Sequence, residues 1–398
     1  MSHLYQDKPQ NVDKIDEPAP DFSSVYTENF PQLLKQLGIS LAVSTYQAGK
    51  LIFIREQQGE LNTHFKIFQK PMGIALQHGR LSIGTQNAVR EYHNVPAVSD
   101  KLTSENKHDA VYVPRRQHVT GNVDIHEMSF DAGGELWFVN TRFSCLSTLD
   151  LFHSFTPRWN PPFISGFAPE DRCHLNGLGM RDGAPRYVTM LGQTNHKGGW
   201  RDNKKDGGLI MDIKDNRIMV EGLSMPHSPR WHDEQLWFLE SGKGSLCKLN
   251  AASGSVETVA SMPGFTRGME IYNGLAFIGL SQVRESALFS GLPLTEKPDE
   301  RYCGVWVIEL ATGNTVAFLR FEGSVQEIFS VQVMANTRFP DLLEDDDDLI
   351  GNTYVLPDAS LEHVDSNSIR ENERLAKRAG ANNGAAMSAP VDPLPTGY

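Results

Sequence analysis

The sequence predicts an all-β fold, a six-bladed β-propeller, on three observations. A short strand, a tight turn and a return strand recur six times along the chain. The copies begin near residues 72, 126, 174, 227, 267 and 326, at intervals of about 40 to 60, the period of four-stranded blades with unequal loops. The apolar hairpin at residues 39–54 has no such copy before it, and too little strand follows the last copy to fill a blade. The N-terminal strand is therefore expected to close the last blade, which removes the sheet edges an open ring would leave.

The clearest copy is residues 124–130 (DIHEMSF), followed by the glycine turn 131–134 and the return strand 135–140 (ELWFVN), with apolar and polar residues alternating on both sides of the turn. Residues 175–180 turn through Asp182 and Gly183 into 187–190, and residues 267–272 turn through Asn273 and Gly274 into 275–278. The copies at 71–76 and 227–231 follow the same plan, and the one at 326–331 is weaker. As innermost strands they bring Met72, His126, His174 or Asn176, His227, Arg267 and Gln326 to one central channel. A one-residue slip reverses the faces of a strand, so His174 and Asn176 stand as alternatives.

Taken in order, residues 1–28 are polar, rich in Pro and Asp and without a period, and are expected to be a flexible arm. Residues 29–37 carry Pro31 near the start, Leu34 and Leu37 at helical spacing and Gly38 as a stop, which predicts a short helix opening a propeller that runs from 29 to 360. Long connections are expected at 94–119 and 152–172, the second packed as a cap by Phe155, Trp159, Phe163 and Phe167. Residues 195–208 place glycine pairs around Trp200 and Arg201, the composition of a lid, with a solvated hairpin loop as the alternative. The acidic run 344–348 lacks the spaced ligands of a calcium loop and reads as a solvated turn. Residues 361–398, rich in Gly, Ala, Asn and Pro, are expected to be a disordered tail.

Composition narrows the functional classes. With 39% hydrophobic and 22% charged residues the chain is globular, and no window holds the roughly 18 apolar residues that cross a bilayer, so no membrane partner is expected. The first ten residues lack a cationic then apolar pattern, which makes the cytoplasm the expected compartment. Cys145, Cys173, Cys247 and Cys303 show no Cys-x-x-Cys spacing and are expected to be reduced, buried thiols. The balance of 37 basic against 49 acidic residues, net −12, repels a phosphate backbone and argues against nucleic acid, while a local basic pocket for a small anion remains compatible with it.

The phrases 141–146 (TRFSCL), 170–177 (EDRCHLNG), 225–230 (MPHSPR), 263–268 (PGFTRG) and 301–304 (RYCG) resemble a family of uncharacterised bacterial hypothetical proteins, sometimes joined to tetratricopeptide modules, over about residues 38 to 356. That resemblance implies a family and no activity. The strand pattern around residues 71–75 (PMGIA) is similar, more distantly, to the six-bladed superfamily of NHL-repeat proteins, gluconolactonases and peptidyl-amidoglycolate lyase. The lyase resemblance implies a zinc held by histidines from separate blades; the calcium ligands of gluconolactonase have no residue-by-residue match here.

His126, His174 and His227 stand at corresponding points of successive blades, where three neutral imidazoles with an open fourth position form a catalytic rather than structural ligand set. A divalent cation, zinc or similar, is the cofactor this predicts, with Glu127, Glu270 or Glu327 as a base or fourth ligand; hydrogen-bonded channel histidines are the alternative. Arg142, Arg172, Arg201, Arg230, Arg267 and Arg284 lie beside glycine, aromatic or inner-strand positions, where a guanidinium is either paired or available to a carboxylate or phosphate. No nucleotide-cradling glycine motif is present. The expected function is axial binding of a small polar or anionic molecule with metal-assisted lyase or hydrolase chemistry. In that reading Glu127, Arg230 and Arg267 are catalytic, and Asn176, Arg142, Arg172, Trp200, Arg201, Glu270 and Glu327 bind the ligand. A non-catalytic module that docks a protein or glycan is the alternative.

Overall fold

In strand Gln235–Glu240, Leu236 and Phe238 enter one hydrophobic cluster while Trp237 and Leu239 enter another on the opposite side. Successive side chains of a strand point to opposite faces, so a strand apolar on both faces is buried between two neighbours. The computed structural model applies this rule blade by blade. It describes residues 19–365 apart from 103–107, 251–252, 284–290, 297–299 and 345–346. The described residues up to 350 form one compact unit.

Within that unit the described strands form six sheets, four of four strands and two of five, and the chain is a six-bladed β-propeller. The innermost strands are Ile74–Gln77, Ile125–Phe130, Leu175–Arg181, Pro226–His232, Phe265–Tyr272 and Ser330–Ala335. Each packs against the next, and the sixth packs against the first. The main hydrophobic clusters lie between adjacent blades rather than at the axis, which leaves the inner strands free to present polar side chains to the channel.

Closure follows the expected route. Ile39–Thr45 pairs antiparallel with Ser330–Ala335, Ile39 opposite Ala335 and Ser44 opposite Ser330. Lys50–Gln57 and Glu60–Ile67 complete that blade, so the N-terminus supplies three strands and the C-terminal part of the unit one. The helix Phe30–Leu37 starts with Pro31 in its first turn and stops at Gly38, whose left-handed backbone caps it. The hairpin turns at Asp182-Gly183 and Asn273-Gly274 have positive φ at both central residues, the type I′ pattern that matches strand twist.

Several expectations need correction. Ser24–Tyr26, inside the expected arm, is a fifth strand on the blade begun by Phe265–Tyr272. Ala110–Val119 and Thr156–Trp159, inside the two expected connections, pair as outer strands of their blades. Pro114 and Pro157 disguised both, yet outer strands tolerate proline because fewer ladder hydrogen bonds are required of them. The sixth inner strand begins at Ser330, so Gln326 lies on the approach to it. Residues 351–356 form no strand. Residues 351–398 separate as a second unit, in which Asp358–Leu361 is a short helix; most of the expected tail lies outside the described residues, as do residues 1–18 of the arm. All four cysteines are free and buried, and burial pushes each thiol up. No helix among the described residues is long and apolar enough to cross a membrane.

Gly268 shows how tightly the inner strands meet. Its φ is +73°, and a Cβ there would stand 2.8 Å from Ser330 Cα and from Val331 N on the sixth blade. Gly268→Ala is expected to destabilise the fold by roughly 1–3 kcal/mol through left-handed strain and displaced backbone. An unchanged urea midpoint would contradict this packing.

Candidate functional site

Several non-glycine residues with positive φ stand where the chain enters the inner strands. Asp124, Asp171 and Met225 have φ of 59°, 49° and 49°, and each supplies the acceptor for a histidine two or three residues on. His126 Nδ1 lies 3.0 Å from the Asp124 carbonyl, His227 Nδ1 lies 2.9 Å from the Met225 carbonyl, and His174 Nδ1 lies 3.0 Å from an Asp171 carboxylate oxygen. One local device, a left-handed residue followed by His, is thus repeated in three blades. Such backbone is uncommon and clusters at functional sites.

The second partners fix the protons. Thr141 Oγ1 stands 2.8 Å from His126 Nδ1 and donates its own proton to the Leu175 carbonyl at 2.6 Å. Both neighbours of His126 Nδ1 are therefore acceptors, and Nδ1 carries the hydrogen. His227 Nδ1 faces the Met225 carbonyl and Ser241 Oγ, at 2.9 Å each. Burial, then the charge of Arg267, push His227 well below the usual histidine range; burial does the same to His126, joined by His174 and Arg267, against the pull of Asp124. Two neutral imidazoles with hydrogen on Nδ1 present lone pairs at Nε2.

Irregular pairing alters which side chains of three inner strands reach the axis. The register shifts between Leu175 and Gly177, His227 and Arg230, and Thr266 and Met269. A bulge re-aims side chains in this way. His174 and Asn176 consequently both reach the axial region, which resolves the alternative left by the sequence. Asn176 lines the axial cleft with His126, Glu127, His227 and Arg267. His174 packs edge-on against His126, ring centroids 4.8 Å apart. The cleft is narrow, with a cavity volume of about 10 Å3, room for about one water-sized group below a mouth open to solvent.

Arg267 dominates the electrostatics of that cleft. Its guanidinium lies 3.7 Å from the Phe329 ring centroid, and among the described residues it makes no ion pair. Phe329 also contacts His126 at 5.2 Å and Tyr46 at 5.6 Å between centroids. Glu327, two residues before Phe329, takes hydrogen bonds at one carboxylate oxygen from Thr45 Oγ1, Tyr46 N and Gln47 N, while its other oxygen is buried without a partner. Burial pushes its carboxyl up to about 7 against the opposing charge of Arg267.

Arg230 is satisfied where Arg267 is not. It pairs with Glu127 at 2.5 Å and approaches Glu270 at 3.7 Å; Glu127 also accepts from Leu178 N and Glu270 from Gln332 Nε2. Burial opposes the Arg230 charge, but the two carboxylates outweigh it and hold its pKa above the usual range. This group braces five blades.

Trp200 sits on the 3-10 turn Gly199–Asn203 with 2% exposure, its ring 4.4 Å from that of His174. Its Nε1 donates to Asp171 at 2.9 Å, Arg201 stacks on it at 4.3 Å, and Arg201 also reaches Asp171 at 3.4 Å. Asp171 thereby ties the expected lid to His174. A roomier pocket of about 610 Å3 lies on the same turn, lined by Asp202, Asp206 and Glu221 without an arginine. The axial cleft is smaller, yet it gathers the perturbed groups, which makes it the stronger site.

Arg142 is exposed, and Arg172 is engaged by Glu170, Ser165 and Asn195 in the overhanging loops, so neither lines the cleft; Arg284 lies outside the described residues. Sequence reasoning missed Tyr46, Lys70, Asp124 and Phe329. Asp124, which ion-pairs with Lys70 at 3.3 Å, was legible two residues before His126; Phe329 was hidden by the displaced sixth repeat. Among the described residues no three His, Cys, Asp or Glu side chains stand together in a way that could hold a metal ion.

Residues 28–343 match a family described as Domain of unknown function (DUF4915). The chain belongs to that family. The DUF4915 match thus covers most of the propeller and includes the whole axial cleft. A 62-residue stretch is 34% identical to quinoprotein glucose dehydrogenase B of Acinetobacter calcoaceticus, covering 15% of this chain and 13% of that protein. Among solved structures, a chain of a nidogen/laminin complex aligns at TM-score 0.48 and 10% identity, over 75% of this DUF4915 chain and 99% of that chain. A protein of unknown function from Bacteroides caccae aligns at TM-score 0.46 and 10% identity, over 74% and 98%.

Proposed function

We propose that the axial mouth binds a small anionic molecule and that Arg267 is its anchor. The observation that carries this reading is a guanidinium stacked on Phe329, facing the cleft and lacking an ion pair among the described residues. A half-buried guanidinium without an ion pair is open to an anion, and an arginine fork matches a carboxylate or phosphate with two parallel hydrogen bonds. Arg267→Met keeps much of the bulk against Phe329 and removes the fork. Calorimetric titration with acetate and with inorganic phosphate is expected to show binding to the wild type and a roughly tenfold to hundredfold loss in the variant, the weight of a charged hydrogen-bonded contact. Equal binding by both proteins would end this reading.

A second reading places a divalent cation on the Nε2 atoms of His126, His174 and His227, with metal-assisted lyase or hydrolase chemistry. It is favoured by the Nδ1 hydrogen bonds, since a metal-binding histidine commonly donates its other ring hydrogen to a carbonyl or carboxylate. Such a cation would polarise a bound oxygen, and Glu327 would hold or release a proton near neutral pH. The rings would have to converge further, and Arg267 opposes a second positive charge. Elemental analysis decides: His227→Ala is expected to release a metal bound this way, and stoichiometric metal retained in the variant would remove these three residues as its ligands.

A further inference from the structure

The anion reading leaves two kinds of group at the cleft to satisfy. One is the guanidinium of Arg267, which makes no ion pair among the described residues. The others are the Nε2 lone pairs of His126 and His227, which follow from the acceptors that surround both Nδ1 atoms. Both rings line the cleft with Arg267, and no hydrogen bond engages either Nε2 among the described residues.

We infer that the molecule is a hydroxylated carboxylate, with its carboxylate on Arg267 and its hydroxyls donating to Nε2 of His126 and His227. The inference rests on the anion-site reading of Arg267 and deepens it. A purely aliphatic acid would cover two acceptor atoms without giving either a donor, and a polar site loses affinity when its groups are left unpaired. An ammonium group is also a donor, but the charge of Arg267 bears on both rings and disfavours a second cation there. A dianion is disfavoured from the other side. Lys70 is engaged by Asp124, so among the described residues of the cleft Arg267 is the cation left for the ligand, while Asp124 and Glu127 act on it with negative charge, joined by Glu327 as that carboxyl ionises. A monoanion carrying hydroxyls matches that balance, and a cleft with only about 10 Å3 of cavity volume restricts it to a short one seated at the open mouth.

Propionate, lactate and glycerate share a three-carbon acid skeleton and differ in carrying none, one and two hydroxyls; alanine replaces the lactate hydroxyl with an ammonium. Titrating the full-length protein with each, followed by calorimetry or ligand-observed NMR, is expected to rank glycerate above lactate above propionate, by roughly tenfold per hydroxyl, with alanine weaker than lactate. His227→Phe is expected to bring glycerate down toward lactate while leaving propionate unchanged, and His126→Phe does the same if the first variant folds poorly. A nitrogen-15 spectrum of the wild-type histidines, which needs no variant, is expected to show a bare Nε2 on both rings. Equal binding of the three acids, all abolished by Arg267→Met, would overturn the hydroxyl assignment and leave the anion site standing. Binding that survives Arg267→Met would overturn the anion site itself, and no binding of any acid would overturn both. Alanine above lactate, or a hydrogen on Nε2, would overturn the assignment of hydroxyl donors.

Discussion

Arg230→Met is expected to lower the stability of the propeller by roughly 3–5 kcal/mol, the loss seen when one partner of a buried ion pair is removed. Two carboxylates depend on this guanidinium, Glu127 at 2.5 Å and Glu270 at 3.7 Å, and burial already pushes Glu270 up with the cation in place. Without Arg230 each would be a buried negative charge beside another. The deficit should therefore shrink as pH falls from neutral towards about 5, because protonation of Glu270, whose carboxyl burial already pushes up, removes the repulsion and the folded state gains a proton relative to the unfolded one. Urea unfolding of wild type and variant at the two pH values measures this. Adding Glu127→Gln and Glu270→Gln to the variant should recover most of the loss, since unpaired charge rather than lost packing is the cause. An unchanged midpoint in the single variant would show that Arg230 is not the brace of the channel.

Glu327→Gln is expected to act in the opposite direction. The unfolded chain titrates this carboxyl near 4.5 and the folded protein near 7. Between those values the folded state holds a proton the unfolded state has lost, so the contribution of Glu327 to stability falls as pH rises from about 4.5 and levels off above about 7. Glutamine cannot ionise, and its amide oxygen can still accept from Thr45, Tyr46 and Gln47. The variant should match the wild type near pH 4.5 and exceed it near pH 8 by on the order of 3 kcal/mol. Anion binding should also weaken in the wild type as pH passes about 7 and a new negative charge appears near Arg267, and the variant should lose that dependence. Parallel stability curves for the two proteins would mean that Glu327 is an ordinary solvated carboxylate.

The blade count was legible because each inner strand with its return strand alternates within a few residues, a local signal that survives unequal loops. Outer strands such as Ala110–Val119 and Thr156–Trp159 carry prolines and lie away from the repeated inner hairpin, so their pattern is weak and the pairing partners decide them. At the site, His126 and His227 could be read from their place before an inner strand. That each ring is fixed with hydrogen on Nδ1 could not, because Thr141 and Ser241 lie on other segments and sequence spacing does not bring them to the ring. The difference between Arg230 and Arg267 was equally hidden. Both precede or enter an inner strand, yet one meets Glu127 and Glu270 while the other meets Phe329, and which happens depends on the bulges that set how far each side chain reaches along the axis.

Locating an anion directly tests the central claim. In a crystal soaked in bromide, a monoanion visible by its anomalous scattering, the account predicts a peak within hydrogen-bonding distance of the Arg267 guanidinium, at the mouth shared by His126 and His227, and predicts its loss from crystals of Arg267→Met. A wild-type crystal with bromide bound elsewhere and none at this mouth, or a peak that persists in the variant, would contradict it.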